Sequence, residues 1–192
     1  MRKNAILLFA FSILWAACFT AGPPKKYYEI HLEAGPAGEP FTASLLIDRL
    51  EIDSLYDDFR IIYRVSPFEI NYYGYHFWAD KPSKLLRSSL IQFLEKTRLF
   101  PLLVLEPLKA KADWAFRWTI YRMEEVDEAA SWFARLSMKI EVADLKSEKI
   151  LAARTFDRRE PMSKKDVGEL PDKLSKILIE ELRALFAELR GK

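Results

Sequence analysis

Between Trp114 and Phe156 the chain alternates apolar and polar residues in three successive runs, and a period of two leaves few alternatives to β-structure. Trp114, Phe116, Trp118 and Ile120 share one face of the first run. Trp132, Ala134, Leu136, Met138, Ile140 and Val142 share one face of the second, with Arg135, Ser137, Lys139 and Glu141 opposite. The third, Ile150 to Phe156, returns after Asp144-Leu145-Lys146-Ser147. One-sided strands in succession predict an antiparallel meander with a single buried face. Two stretches of helical period could cover that face. Leu86, Leu90, Phe93, Leu94 and Thr97 form one stripe of a helix that opens at Asp80-Lys81-Pro82 and ends before Pro101. Asp80 is placed to cap it, and Pro82 falls in the first turn, where its missing N–H costs little. A last helix, roughly Glu169 to Leu189, carries Leu174, Leu178, Leu182, Leu185 and Leu189 on one side and mostly charge on the other. Gly191 follows its end.

Shorter signals complete the pattern. Tyr28, Ile30 and Leu32 alternate with Tyr27, Glu29 and His31 before Gly35-Pro36-Ala37-Gly38 breaks the run. A second strand is expected over Ser44 to Glu51, and Leu102 to Leu105 reads as a short one. Phe59, Ile61, Tyr63 and Val65 are expected on one face of a further strand, and after Ser66-Pro67 the residues Phe68, Ile70 and Tyr72 on one face of its neighbour. Pro67 does not suit a primed two-residue turn, so hairpin-like pairing is expected with its register open. The expected fold class is α+β: a mixed, mostly antiparallel sheet of about seven strands with two amphipathic helices packed on one face.

The amino terminus reads as an address. Met1-Arg2-Lys3 precedes an apolar run from Ala5 to Ala17 broken only by Ser12, the order of a secretory signal peptide. At about 1.5 Å per residue that run reaches roughly 20 Å, short of a bilayer core of about 30 Å. Ala16-Ala17 directly before Cys18, the one cysteine of the chain, resembles the lipobox of bacterial lipoproteins, in which the cysteine is thioether-linked to diacylglycerol, acylated by chains such as palmitate, and becomes the new N-terminus. Trp15 stands where that motif usually has Leu, Val or Ile. The expected organisation is a lipoprotein signal peptide over 1–17, a lipidated Cys18 with a short tether over 18–26, and one domain over 27–192. Phe19 to Lys26 contains Gly22-Pro23-Pro24 and reaches under roughly 30 Å, so the domain is expected to stay near the membrane. Residues 1–17 include Arg2 and Lys3 and no acid, so the 30 basic and 28 acidic side chains of the whole chain become 28 of each. A neutral domain offers no general attraction for nucleic acid. Lys25-Lys26 beside the anchor reads either as solvated surface or as a contact for anionic headgroups.

Catalytic signals are sparse. One cysteine and 2 histidines make neither a multi-thiolate site nor a histidine cluster, and no metal or cofactor is expected. His31 and His76 sit in no catalytic motif, and there is no Gly-x-Ser-x-Gly, phosphate-cradling glycine loop or His-Glu-x-x-His. The acidic pairs Glu124-Glu125 and Glu180-Glu181 are expected to be solvated charge rather than an acid and base. No enzymatic activity is expected.

Aromatic density stands out instead: Tyr72, Tyr73, Tyr75, Phe77 and Trp78 lie within 7 residues. Alternation forbids all of them from facing one core. On a packing reading Tyr72 and Trp78 turn inward while Tyr73 and Tyr75 cover the opposite sheet face. On a functional reading Tyr73, Tyr75 and Phe77 are a protein or lipid contact, since aromatic rings supply much buried area with few rotors to freeze.

The order Cys18, short Pro-containing tether, Tyr27-Tyr28, Phe59-Arg60-Ile61-Ile62-Tyr63-Arg64, then Tyr72-Tyr73-Gly74-Tyr75-His76-Phe77-Trp78-Ala79 leading into a helix, resembles the ABC-type transport auxiliary lipoproteins, the family of paraquat-inducible protein C. The Asp144 turn and the amphipathic last helix also match, and Phe77 departs from a common Arg. The resemblance implies a lipid-anchored outer-membrane lipoprotein facing the periplasm. It also implies partners: a mammalian-cell-entry-type substrate-binding protein and an ABC permease and ATPase that move phospholipid or another apolar solute between membranes. This protein would be the non-catalytic docking component, with a homo-oligomeric ring as one arrangement. Phe19 rather than Asp after Cys18 favours the outer membrane under enteric sorting rules. The alternative is an outer-membrane lipoprotein that scaffolds or activates a cell-envelope assembly or peptidoglycan enzyme, which usually needs a longer tether.

Overall fold

The computed structural model describes residues 22–35, 38–106 and 111–191. Their order is β1 (Lys26–Tyr28), β2 (Leu45–Ile47), β3 (Glu51–Ile52), β4 (Arg60–Ser66), β5 (Glu69–Trp78), α1 (Pro82–Thr97), β6 (Leu103–Val104), β7 (Trp114–Glu128), β8 (Ser131–Asp144), β9 (Ile150–Met162) and α2 (Leu170–Arg190). A short 3-10 turn, Val167–Glu169, leads into α2. The fold is α+β, and the nine strands form one mixed sheet. The expected strand over 44–51 divides into β2 and β3, and the first expected strand is hydrogen-bonded only over Lys26–Tyr28, although Ile30 and Leu32 are buried as their alternation requires.

β7 is the spine. Along one edge it takes up β2 at Trp114, β3 at Thr119 and β4 at Glu125, all parallel to it. Along the other edge it pairs antiparallel with β8 from Trp114↔Asp144 to Glu128↔Ser131, and β8 pairs with β9 in turn. The expected meander is therefore present, with β9 running on to Met162. Register places Phe116 opposite Val142, Trp118 opposite Ile140 and Ile120 opposite Met138, so six large apolar residues share the core face. Leu86, Leu90, Phe93 and Leu94 of α1 and Leu174, Leu178, Leu182 and Leu185 of α2 join the same core cluster. Both helices thus cover one face of the sheet, as expected. α2 is also clamped to β9 by charge: the Arg154 guanidinium lies 2.7 Å from Glu181, which is buried, and Lys176 lies 2.8 Å from Glu160.

Three local expectations are corrected. Asp80 does not cap α1: Lys81 holds the cap position in extended backbone, and the Ser83 N–H is received by Asp57 Oδ1 at 3.0 Å, a partner 26 residues away. Phe68 does not share a buried face with Ile70. The β4–β5 hairpin closes Ser66 onto Glu69, which leaves Pro67 and Phe68 as the turn and Phe68 99% exposed. The face proposed for Phe59, Ile61, Tyr63 and Val65 is also broken. Ile61 and Ile62 are both buried while Phe59 and Val65 are exposed, because the ladder shifts between Arg60 and Ile62 and again between Arg64 and Ser66.

Candidate contact surface

The larger of those two shifts creates the candidate site. Arg60 pairs with Phe77 and Ile62 with Tyr72, so Tyr73, Gly74, Tyr75 and His76 stand against Ile61 alone. A bulge of this kind re-aims side chains that simple alternation would have sent to fixed faces. Tyr73 turns inward rather than covering the opposite sheet face. Its ring packs on Tyr63 at 4.7 Å, and its hydroxyl donates to Glu125 Oε1 at 2.8 Å. Burial, and then the Glu125 carboxylate, push its phenol well above the ordinary value of 10. His76 stacks on Tyr28 at 5.7 Å, with its Nδ1 2.7 Å from the Tyr28 hydroxyl. Burial and then the nearby Lys26 lower its pKa, while Asp166 acts against them.

Tyr75 and Phe77 point elsewhere. Tyr75 is 44% exposed and Phe77 is half-buried. β1 lies parallel to β5 with Tyr27 in register with Phe77, their rings stacked at 5.8 Å, and Tyr27 is 62% exposed. The Lys25 ammonium lies 5.5 Å from the centroid of the Phe77 ring. Gly22 approaches Tyr75 so closely that a β-carbon there would lie 3.1 Å from its hydroxyl. Of the three residues singled out in the sequence, Tyr75 and Phe77 therefore belong to one aromatic edge beside the tether, and Tyr73 anchors the bulge behind it. Tyr27 and Lys25 complete the edge. The only sign of them in the sequence is the adjacency Lys25-Lys26-Tyr27-Tyr28, which carries no spacing to pair them with Phe77.

The acidic pairs are corrected. Glu124 and Glu125 are both fully buried, not solvated. As successive strand residues they face opposite sides of β7, so they cannot serve one substrate as acid and base. Glu124 accepts from Arg64 Nε at 2.8 Å and from the Tyr56 hydroxyl at 3.0 Å, with Arg135 at 3.5 Å. Glu125 has Tyr73 on one oxygen, while Oε2 is buried without a hydrogen-bond partner. Burial raises its carboxyl above the ordinary 4.5, against the pull of Tyr73 and Lys165. Glu181 is buried against Arg154, while Glu180 stays partly exposed, as expected, and pairs with Arg158 at 2.8 Å. These are structural charges, held by partners that the linear sequence does not adjoin.

At the other end of β5, Phe68 projects beside a cleft of about 350 Å³ lined by Arg64, Arg122, Arg135 and Arg159. Arg135 is spanned by Asp157 at 2.6 Å and Arg159 by Glu128 at 2.6 Å, so its charge is largely balanced from within. His31 is exposed on the extended segment after β1. Among the described residues no three His, Cys, Asp or Glu side chains converge as a metal site would require, and no helix is long and apolar enough to cross a membrane. Cys18 lies outside the described residues.

Comparison with known proteins agrees with this architecture. A crystal structure of protein XCC0632 from Xanthomonas campestris, of the DUF330 family, superposes with a TM-score of 0.71 over 86% of this chain and 96% of its own, at 18% identity. A second crystal structure, of an uncharacterised protein, gives 0.66 over 86% and 97% at 14% identity. At such identities the likeness concerns the fold. No curated protein matches in sequence. The sequence model of the ABC-type transport auxiliary lipoprotein component matches residues 30–185, which takes in the sheet spine, both helices and the aromatic bulge up to Leu185. The chain belongs to the family of ABC-type transport auxiliary lipoprotein components.

Proposed function

We propose that the protein is a lipid-anchored envelope lipoprotein, acylated at Cys18 after removal of residues 1–17, whose domain over 27–192 is the non-catalytic docking component of a mammalian-cell-entry-type transport system. In that system an ABC permease and ATPase drive phospholipid or another apolar solute between the inner and outer membranes, and this protein stands at the outer membrane facing the periplasm. The observation that carries the reading is the family match over residues 30–185, which supplies the auxiliary role and the association with an ABC-type system. Support for the anchor comes from Ala16-Ala17-Cys18 and the basic, then apolar, segment before it. Phe19 rather than Asp after the cysteine supports the outer-membrane destination. Two or more acyl chains hold a protein to lipid without further help, since each buried methylene contributes about 0.8 kcal/mol. The commitment of Glu124 to Arg64, Arg135 and Tyr56, and of Glu181 to Arg154, supports a role without chemistry of its own.

Affinity capture of the tagged protein from its own membranes tests the reading. Recovery of a mammalian-cell-entry protein together with a permease and ATPase is expected. Recovery of cell-wall synthases alone would replace it with the scaffold alternative. Cys18→Ser is expected to abolish the diacylglyceryl mass on the mature protein, and a native protein whose Cys18 is an unmodified thiol would remove the anchor from the account.

A further inference from the structure

The tether and the aromatic edge meet at Gly22 and Tyr75, and we propose that this edge is a second, non-covalent membrane contact: Lys25, Tyr27, Tyr75 and Phe77 rest among the headgroups of an anionic lipid surface and set how the domain stands on its anchor. The proposal rests on the reading of Cys18 as the acylated residue.

Reach is the first argument. Gly22 sits against the Tyr75 hydroxyl, and Cys18 is four residues upstream. At about 3.5 Å per residue, no path of the intervening chain can put an acylated Cys18 more than about 14 Å from that contact. A sulfur held at the lipid surface therefore holds Tyr75 near the same surface. Composition is the second. Tyr27 is 62% and Tyr75 44% exposed, and both carry an apolar ring ending in a hydroxyl, the amphipathic form that settles at headgroup depth. Phe77, stacked under Tyr27, gives the edge an apolar floor. Charge is the third. Lys25 lies over the Phe77 ring with Lys26 next to it, and juxtamembrane lysines are drawn to anionic headgroups.

Strand geometry bears on the occupant. β1 is the outermost strand on this side of the sheet and is hydrogen-bonded over three residues only, with the tether entering directly before it. So short an edge offers an added peptide strand little backbone to pair with. Rings and ammonium groups at a tethered edge fit a surface of lipid headgroups better than an extended peptide. The hairpin that meets the lipid at Phe77 carries its tip at Phe68 about 20 Å away, the rise of β4 from Arg60 to Ser66 against which β5 pairs, so the tip and its arginine cleft stand off the lipid toward the periplasm.

The test uses the full chain, matured in its own host and reconstituted into vesicles of phosphatidylcholine alone or with phosphatidylglycerol. A nitroxide is placed at Tyr27→Cys or, separately, at Phe68→Cys, two exposed positions whose substitution leaves the core intact, and its collisions with oxygen and with an aqueous nickel chelate are measured. The expected result in phosphatidylglycerol vesicles is a severalfold lower nickel collision rate at position 27 than at position 68. Without the anionic lipid the difference should shrink, and Lys25→Glu with Lys26→Glu should erase the dependence on lipid charge. Equal nickel access at 27 and 68 in a protein that still sediments with the vesicles would overturn the headgroup contact while leaving the anchor standing. Equal immersion in both lipid mixtures would overturn the anionic assignment. Failure of the underlying anchor is seen separately, as protein that does not sediment and a Cys18 thiol that itself takes the label.

Discussion

The β7–β8–β9 meander and the β4–β5 hairpin lie in one sheet and are built by different rules. In the meander, alternation runs from Trp114 to Val142 with one shift in the β7–β8 ladder near Arg122 and one at the end of the β8–β9 ladder between Val142 and Ala143, and the helices bury one face throughout. A slip of one residue there would send Phe116, Trp118, Ile140 and Val142 to the wrong side, so burial specifies register strongly. In the hairpin the ladder shifts twice, and four residues oppose one. What holds it is specific rather than periodic: Tyr73 on Glu125, Arg64 on Glu124, Arg60 4.0 Å over the Tyr72 ring, and Tyr27 on Phe77. Hydrophobic patterning thus makes the scaffold, and pairwise polar and aromatic contacts make the aromatic edge.

The comparison breaks most severely at the scaffold. Leu182 is fully buried on the sheet-facing side of α2, and Leu182→Asp removes that packing and buries an unpaired charge. A loss of at least about 4 kcal/mol is expected, enough to unfold many domains of this size. Urea unfolding of the matured protein measures it, and an unchanged midpoint would mean that this helix face is not core.

The hairpin should fail at its polar clamp. Arg64→Ala leaves Glu124 fully buried, with Arg135 at 3.5 Å and the Tyr56 hydroxyl as its remaining partners. Removing one partner of a buried pair is expected to cost about 3 kcal/mol. Leu substitution of Glu124 together with Leu substitution of Arg64 should cost less than Arg64→Ala alone. A double-mutant cycle by denaturant unfolding reads the difference, and additive costs would contradict the clamp.

A pH series sharpens the contrast further. Burial raises the Glu125 carboxyl above its unfolded 4.5, so its contribution to stability is fully present below that value and is lost as the pH rises toward the folded value. Asp157, lowered chiefly by its hydrogen bonds from Arg135, contributes in the opposite sense, with stability lost as the pH falls. Glu125→Gln removes the first effect alone. The melting temperature of the variant relative to the parent should therefore rise between pH 4 and pH 7, and a difference that falls or stays flat would refute a burial-raised carboxyl. The smallest effect is expected at the tip. Phe68→Ser, at a side chain 99% exposed, should change unfolding stability by less than about 0.5 kcal/mol.

How much of this was legible follows the same division. The meander, both helical stripes and the α+β class are readable in the chain because burial on one face repeats every two or every 3.6 residues. The cap of α1 is not, because Asp57 reaches Ser83 across the fold and displaces the adjacent Asp80 from that role. The burial of the acidic pair is not legible for a related reason: nothing near Glu124 in sequence announces Arg64 or Tyr56, 60 and 68 residues away. At the candidate surface the aromatic run is conspicuous as a run, but a bulge decides which rings turn in and which stay out.

The amino-acid sequence by itself determined the periodic parts of this protein, its family and the expectation of an acylated Cys18, because local periodicity and short motifs need no knowledge of distant partners. Tertiary structure alone decided that Tyr73 is tied inward to Glu125, that Tyr27 of β1 and the preceding Lys25 join Phe77 from about 50 residues away, and that Gly22 brings the tether against Tyr75. Those outcomes depend on strand register and on a one-against-four mismatch in pairing, quantities that exist only once two segments have met.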